Sequence, residues 1–353
     1  MYPASTTKIV TAIIAIEKCD ISKKVIVQKS SIDLIPSGYS TSYLVEGEEV
    51  SIDELLKMLL VHSANDAAVV LAEYIAGSIE GFSELMNTKA MEIGCKNTHF
   101  VNPNGIHNEN HYTTAYDLGL IAKYCMQNQT FRNYVSLAKC TISNTNKSST
   151  RQYSNTNELL NSSSKYYIAD CIGIKTGYTT EAKNCLVSAF KKDNLELIIV
   201  TLGGDNLNNG NNARFTDSKT LYNFAYSTYS IKTIAQKGDF IDNTEISNGT
   251  KETRKLDLLL DDDLKVLIRN DEEIPAPEVT LNEPLRAPIY ENQTVGTVVY
   301  TINGTTYTKN LTASHNVEKK GYFIFILGIV IFLILIVIMI SKNRRKQKYY
   351  DEY

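Results

Sequence analysis

The chain is poor in the residues on which most hydrolase chemistry rests. Only five histidines, His62, His99, His107, His111 and His315, occur in 353 residues. None lies in a Gly-x-Ser-x-Gly elbow, so a Ser-His-Asp triad has no anchor, and the five read as structural or surface residues. No His-Glu-x-x-His, Cys-x-x-Cys or calcium-loop spacing is present, which argues against a zinc carboxypeptidase and leaves no metal ligands to assign. The six cysteines, Cys19, Cys95, Cys125, Cys140, Cys171 and Cys185, are scattered through apolar stretches and read as buried free thiols. There is no excess of positive charge: 36 Lys and Arg stand against 39 Asp and Glu, a net charge of −3. Neither that balance nor any motif supports nucleic-acid binding. Tryptophan is absent and no repeat period is visible, which bears on genome composition and not on mechanism.

What is present is three short polar motifs in one order: Ser5-Thr6-Thr7-Lys8, Ser63-Ala64-Asn65 and Lys175-Thr176-Gly177. Ser-x-x-Lys alone is weak, since it recurs at Ser136, Ser162 and Ser188. Context adds weight. Ser5 opens a run in which Ile9, Val10, Ile13, Ile14 and Ile16 recur at helical spacing, so it is expected at a helix N-terminus with Lys8 one turn on. A serine hydroxyl needs a base, and a lysine serves as one only if burial or another cation lowers its pKa. Lys175 could supply that cation.

Ser63-Ala64-Asn65 falls between two apolar helical stretches, 52–61 and 66–76, the first opened by a Ser51-x-x-Glu54 capping box. Lys175-Thr176-Gly177 follows Ile172-Gly173-Ile174 and precedes the apolar stretches 185–190 and 195–202. It reads as a strand carrying alternate side chains into a cleft. Taken singly, each motif has a bland reading: an N-cap, an interhelix turn, an edge strand. Together they read as one serine acyl-transfer site. His62, beside Ser63, is expected to point elsewhere if the helix continues.

These motifs resemble those of serine-type D-alanyl-D-alanine carboxypeptidases, the low-molecular-mass penicillin-binding proteins. The resemblance extends through Tyr2-Pro3-Ala4-Ser5, His62 to Ala68, Asn102-Pro103-Asn104-Gly105, Asn110 to Leu118 and Gly173 to Thr179, and covers roughly residues 1–225. It implies Ser5 as nucleophile, Lys8 as its base, Ser63 as a proton relay and Asn65 as a hydrogen-bonding partner of the substrate peptide. It further implies Lys175 and Thr176 on the terminal carboxylate, an oxyanion hole from the backbone N–H groups of Ser5 and Tyr178, beside Gly177, and Arg214 near that carboxylate. The implied partners are peptidoglycan stem peptides and, as covalent inhibitors, β-lactams; no cofactor is required. Two other readings stay open. A serine β-lactamase needs an added deacylating group, and no Glu-x-x-x-Asn counterpart stands near residues 100–120. A noncatalytic membrane-anchored binder of cell-wall peptide or β-lactam is the other.

From Gly321 to Ile340 the chain carries no charge, and Lys342, Arg344, Arg345, Lys346 and Lys348 follow. Twenty residues span a bilayer core of about 30 Å, and the basic flank places the tail in the cytoplasm and residues 1–320 outside. Between 230 and 318 short apolar stretches alternate with turns, among them the hairpin signals Asn248-Gly249 and Asn303-Gly304. The expected fold is therefore α/β: a penicillin-binding-protein and serine β-lactamase-like catalytic domain with an antiparallel sheet and helices (1–228), a small all-β domain (229–318), a transmembrane helix (319–341) and a basic tail (342–353). Met1 stands four residues before Ser5 with no signal peptide ahead of it, and in the family strands of the catalytic sheet precede the serine helix. The expectation is a chain that lacks an export signal and part of that sheet.

Overall fold

The structure is a computed structural model that describes residues 1–207, 210–282, 284–321 and 323–350, with side chains excluded at 323–325 and 345–350. Position 322 of the expected span, 351–353 of the expected tail and the side chains of Arg345, Lys346 and Lys348 lie outside it. The chain divides into two units, Met1–Thr228 and the remainder from Tyr229.

In the first unit the apolar run after Ser5 becomes α1 (Lys8–Lys18), preceded by a short 3₁₀ turn, Ala4–Thr7. Every residue from Lys8 to Ala15 is buried, so this helix is enclosed on all sides rather than along one stripe. After β1 (Lys24–Ile26), α2 (Lys29–Asp33) and β2 (Glu49–Ser51), α3 (Ile52–Lys57) begins at the predicted capping box: Ser51 Oγ accepts from Glu54 N at 3.2 Å, and Glu54 Oε2 accepts from Ser51 N at 3.0 Å. The helices α4 (Asn65–Ala76), α5 (Ile79–Ile93), α6 (Ala115–Cys125) and α7 (Gln129–Val135) pack around α1.

A hairpin of β3 (Lys139–Ile142) and β4 (Arg151–Ser154) follows, then the antiparallel sheet β5 (Cys171–Thr179), β6 (Lys183–Lys192) and β7 (Leu195–Gly204), in the order β5-β6-β7. On β6, Val187 and Ala189 face the helical core, while Leu186 and Phe190 join Phe215 of α8 (Ala213–Thr228). Burial on both faces explains why this strand reads as a continuous apolar run and not as an alternating one. The six cysteines are all free.

One buried ion pair holds the segment that precedes β2. Glu48 is fully buried, and its Oε1 accepts from Arg151 Nη2 at 2.5 Å and Thr145 Oγ1 at 2.8 Å. Arg151→Met leaves that carboxylate without its cation; a loss of about 3 kcal/mol in unfolding free energy is expected in denaturant titration. A loss below about 1 kcal/mol would show the pair to be dispensable.

The second unit holds β8 (Tyr229–Ala235), β9 (Phe240–Glu245), β10 (Lys255–Leu260), β11 (Leu264–Arg269), β12 (Glu278–Leu281), β13 (Thr294–Ile302) and β14 (Thr305–Ala313). Five form an antiparallel sheet in the order β12-β13-β14-β10-β9, and β8 pairs with β11. Strict alternation in β11 buries Leu264, Val266 and Ile268 against Leu256, Leu258 and Leu311. Asn303 and Gly304, at φ 51° and 72°, make the two-residue turn between β13 and β14 as expected. Asn248-Gly249 instead lies in a nine-residue connection between β9 and β10, with only Asn248 at positive φ. The last element is α9 (Phe323–Tyr350). Its segment Ile326–Arg344 has a mean hydropathy of 2.6, and its apolar window holds no buried residue.

Candidate active site

Ser5 sits in the 3₁₀ turn before α1, which is tightened by Thr6 Oγ1 donating to Pro3 O at 2.7 Å. Ala4, immediately before it, has φ 48°, in the left-handed region, and is buried. One turn on, Lys8 is fully buried and its Nζ lies 2.8 Å from Ser5 Oγ, 2.8 Å from Asn65 Oδ1 and 2.7 Å from the carbonyl oxygen of Asn104. Burial pushes the Lys8 ammonium well below its ordinary pKa, and the positive charge of Lys175 adds to this against a smaller opposing effect of Asp66. A neutral amine has two hydrogens and one lone pair. Two carbonyl oxygens take the hydrogens, so the lone pair is left for the Ser5 hydroxyl.

Asn65 is held by the segment before β2: both its backbone N and its Nδ2 donate to Ser40 O at 2.9 Å. That orients Oδ1 toward Lys8. Between α3 and α4 the chain widens into a π turn, Met58–His62, and leaves it at Ser63 in the left-handed region, φ 67°. His62 ends that π turn, so the condition for it to point elsewhere, a continued α-helix, is not met. Both it and Ser63 line the cleft, and the His62 ring stacks on Tyr153 at 4.3 Å.

The backbone acceptor on Lys8, Asn104 O, was missed at the sequence level as a functional group. Asn102-Pro103-Asn104-Gly105 folds into a turn in which Asn102 Oδ1 accepts from Gly105 N at 2.7 Å and Asn104 Oδ1 accepts from Ile106 N at 3.1 Å. Thr11 Oγ1 donates to Pro103 O at 2.6 Å, tying the turn to α1. His111, 2% exposed, closes the arrangement. Its Nδ1 accepts from Val101 N at 3.1 Å, which puts the ring hydrogen on Nε2, 2.8 Å from Thr7 Oγ1. Burial lowers its pKa to about 3, so the ring stays neutral. The Asn-Pro-Asn-Gly sequence was the available signal.

On the opposite wall, Thr176, Gly177 and Tyr178 of β5 face Ser5 across a cleft of about 490 Å³. Gly177 touches the nucleophile's backbone: a Cβ there would lie 2.9 Å from Ser5 N. Lys175 does not reach into the cleft as its strand position suggested. It is 1% exposed, and its Nζ donates to Thr176 O at 3.0 Å and to Thr156 Oγ1 at 3.5 Å. Burial first, then the charge of Arg214, brings its pKa down to about 7. Thr156, also unanticipated, pairs its hydroxyl with that of Thr176 at 2.5 Å. Arg214, at the start of α8, lines the cleft, donates from Nη1 to Gly177 O at 3.1 Å and keeps a buried Nε without a partner among the described residues. It is a cleft residue, not a helix-surface charge.

Residues 1–206 match the D-alanyl-D-alanine carboxypeptidase family, and residues 229–319 match the C-terminal domain of penicillin-binding protein 5. The chain is 32% identical to the D-alanyl-D-alanine carboxypeptidase DacF of Bacillus subtilis over 332 residues, 92% of this chain and 82% of the relative. Penicillin-binding protein 5 of Haemophilus influenzae superposes with a TM-score of 0.65 at 26% identity, covering 90% of this chain and 91% of that one. The Streptomyces K15 DD-transpeptidase does so with a TM-score of 0.57 at 33% identity, over 64% and 87%. A matching signature over residues 1–206 and a relative aligned along nearly the whole chain show that this protein belongs to the D-alanyl-D-alanine carboxypeptidases, the low-molecular-mass penicillin-binding proteins.

Proposed function

We propose that the chain removes the terminal D-alanine from peptidoglycan stem pentapeptides through an acyl-enzyme on Ser5. The observation that carries this is the threefold contact of the Lys8 amine. Neutral Lys8 takes the Ser5 proton as Oγ attacks the carbonyl of the penultimate D-alanine. The C–N bond to the terminal D-alanine breaks, and that amine leaves with a proton passed from Lys8 by way of Ser63. Water, deprotonated by the same lysine, then hydrolyses the ester. The backbone N–H groups of Ser5 and Tyr178 stabilise the oxyanion, which the contact of Gly177 with Ser5 N favours. Thr176 and Arg214, with the charge of Lys175 behind Thr176, form a positive end for the substrate carboxylate, and Asn65 binds the peptide. β-Lactams acylate the same serine.

Attachment to the membrane through α9 belongs to the same proposal. Its apolar residues from Ile326 to Ile340 are between 37% and 67% exposed, a surface for which lipid is a fitting solvent. The basic residues after it favour a cytoplasmic tail and an outer catalytic unit.

The pH dependence follows from the two lysines. Catalysis needs Lys8 deprotonated and Lys175 charged, so kcat/KM rises as pH passes the lowered pKa of Lys8 and falls above about 7, where free-enzyme Lys175 loses its proton. A bound carboxylate favours the charged lysine, so the falling limb of kcat lies at higher pH than that of kcat/KM. Coincident falling limbs would remove Lys175 from the carboxylate site.

Intact-mass measurement after benzylpenicillin tests the proposal as a whole. A lasting adduct on Ser5, with D-alanine released from a pentapeptide, is expected. Rapid drug turnover favours the β-lactamase reading. The absence of both adduct and D-alanine leaves the noncatalytic binder. Transfer of the acyl group to an added amine would place the chain functionally beside the Streptomyces K15 relative.

A further inference from the structure

The wall of the cleft formed by residues 37–40 continues into a second hollow of about 540 Å³ that shares Ser37, Gly38 and Tyr39 with it. Tyr43 lines this hollow and is 80% exposed. Its backbone has φ 55°, a conformation that a bulky residue adopts only where its surroundings impose it. They do so here from both sides. The amides of Ser42 and Leu44 donate to the buried Asp66 carboxylate at 2.9 and 3.1 Å, and Ser42 O accepts from Arg151 Nη1 and from the Tyr153 hydroxyl. Packing of the Tyr43 ring does not account for this arrangement, because the ring is in solvent. The arrangement presents it.

The chemistry of the hollow narrows what the ring is presented to. Asp66 is the one charged residue that lines it, and its oxygens are already taken by the amides of Ser42, Leu44 and Ala67. What remains is aromatic, aliphatic and hydroxyl surface. That suits a neutral ligand with an apolar face and hydroxyls at its edge, which is the description of a sugar ring, and suits poorly the charged side chains of a stem peptide. The lengths also agree. Ser40 bonds the Asn65 amide that contacts Lys8, and Tyr43 lies three residues further, at most about 11 Å of chain. The four residues on the acyl side of a stem pentapeptide span at most about 14 Å.

We propose that Tyr43, with Tyr39, holds a sugar of the glycan strand to which the stem peptide is attached. The enzyme thereby prefers glycan-linked stems to free peptide. This rests on the carboxypeptidase reading, so the test uses two substrates. D-Alanine release is measured with the full chain on the free pentapeptide and on the same pentapeptide carrying its N-acetylglucosaminyl-N-acetylmuramyl disaccharide. A kcat/KM about five- to tenfold higher on the second, mainly through KM, is expected, and Tyr43→Ala removes that difference while leaving free-peptide kinetics and benzylpenicillin acylation unchanged. Tyr43→Gly, which relieves the backbone, removes it too and raises the melting temperature. Equal kcat/KM on both substrates, or a preference that survives Tyr43→Ala, overturns the proposal. Failure to release D-alanine from either substrate overturns the carboxypeptidase reading instead, and the sugar site with it.

Discussion

Lys8→Met lowers the rate at which benzylpenicillin acylates Ser5 by about 10²- to 10⁴-fold, the range over which a positioned base contributes. Methionine keeps most of the buried volume, so the variant remains folded by circular dichroism and the loss is read as chemistry. It removes the group that lies 2.8 Å from Ser5 Oγ; the Asn104 carbonyl, at 3.5 Å, is too distant to take its place. Lys8→Arg separates base from charge: a guanidinium reaches toward the same oxygens but stays protonated at any working pH. The expected loss is as large as for Lys8→Met. Retention of more than about a tenth of the wild-type acylation rate by the arginine variant would mean that a cation, and not a proton acceptor, is what Ser5 needs, and the proposed mechanism would fall.

Gly105→Ala has the second largest expected effect, although the residue carries no functional group. A Cβ there would lie 1.9 Å from Ala4 O and 2.8 Å from Thr7 Oγ1, and Gly105 has φ 80°, which alanine reaches only with strain. The obstacle is backbone and cannot rotate away. Either Ala4 or the turn that carries Asn104 O has to move. Ala4 O belongs to the peptide unit whose N–H is that of Ser5, while Asn104 O is one of the two acceptors that orient the Lys8 amine. Displacement of about 1 Å at either place costs about 10²-fold in acylation rate. Strain and lost packing together lower the unfolding free energy by about 3 kcal/mol or more. Denaturant titration and acylation kinetics on the same sample measure both. A variant that keeps wild-type acylation would show that this turn does not set the geometry of the base.

Both predictions depend on groups of unequal visibility in the sequence. The order Ser-x-x-Lys, Ser-x-Asn, Lys-Thr-Gly, the helical periodicity after Ser5, the capping box at Ser51 and the uncharged run near the C-terminus were legible because each is a local pattern. A hydrogen bond to N3, a 3.6-residue repeat and a bilayer-length apolar segment are set by residues close in the chain. The same holds for the Asn303-Gly304 turn, whose two positive φ angles only such residues adopt readily. Asn248-Gly249 carried the same local signal but not the same turn: β9 and β10 end as a pair at Glu245 and Lys255, and the connection between them bridges elsewhere, Ser247 to Arg286 and Gly249 to Lys319.

The sequence by itself therefore determined the family and the fold class, and its motif spacing pointed to Lys8 and Asn65 as side chains grouped with Ser5, since side-chain identity is written in the chain. Only the tertiary structure decided how they meet. The acceptors that orient Lys8 and Asn65 are the carbonyls of Asn104 and Ser40, and every residue has a carbonyl, so no residue type announces them. The inward turn of His62 depends on a π turn and a left-handed Ser63, and the withdrawal of Lys175 behind Thr176 depends on the sheet packing against its neighbours. The lowered pKa values of the two lysines come from burial among cations brought together from α1, β5 and α8. Burial and the mutual field of distant charges are properties of the packed molecule, so they exist only once the chain has folded.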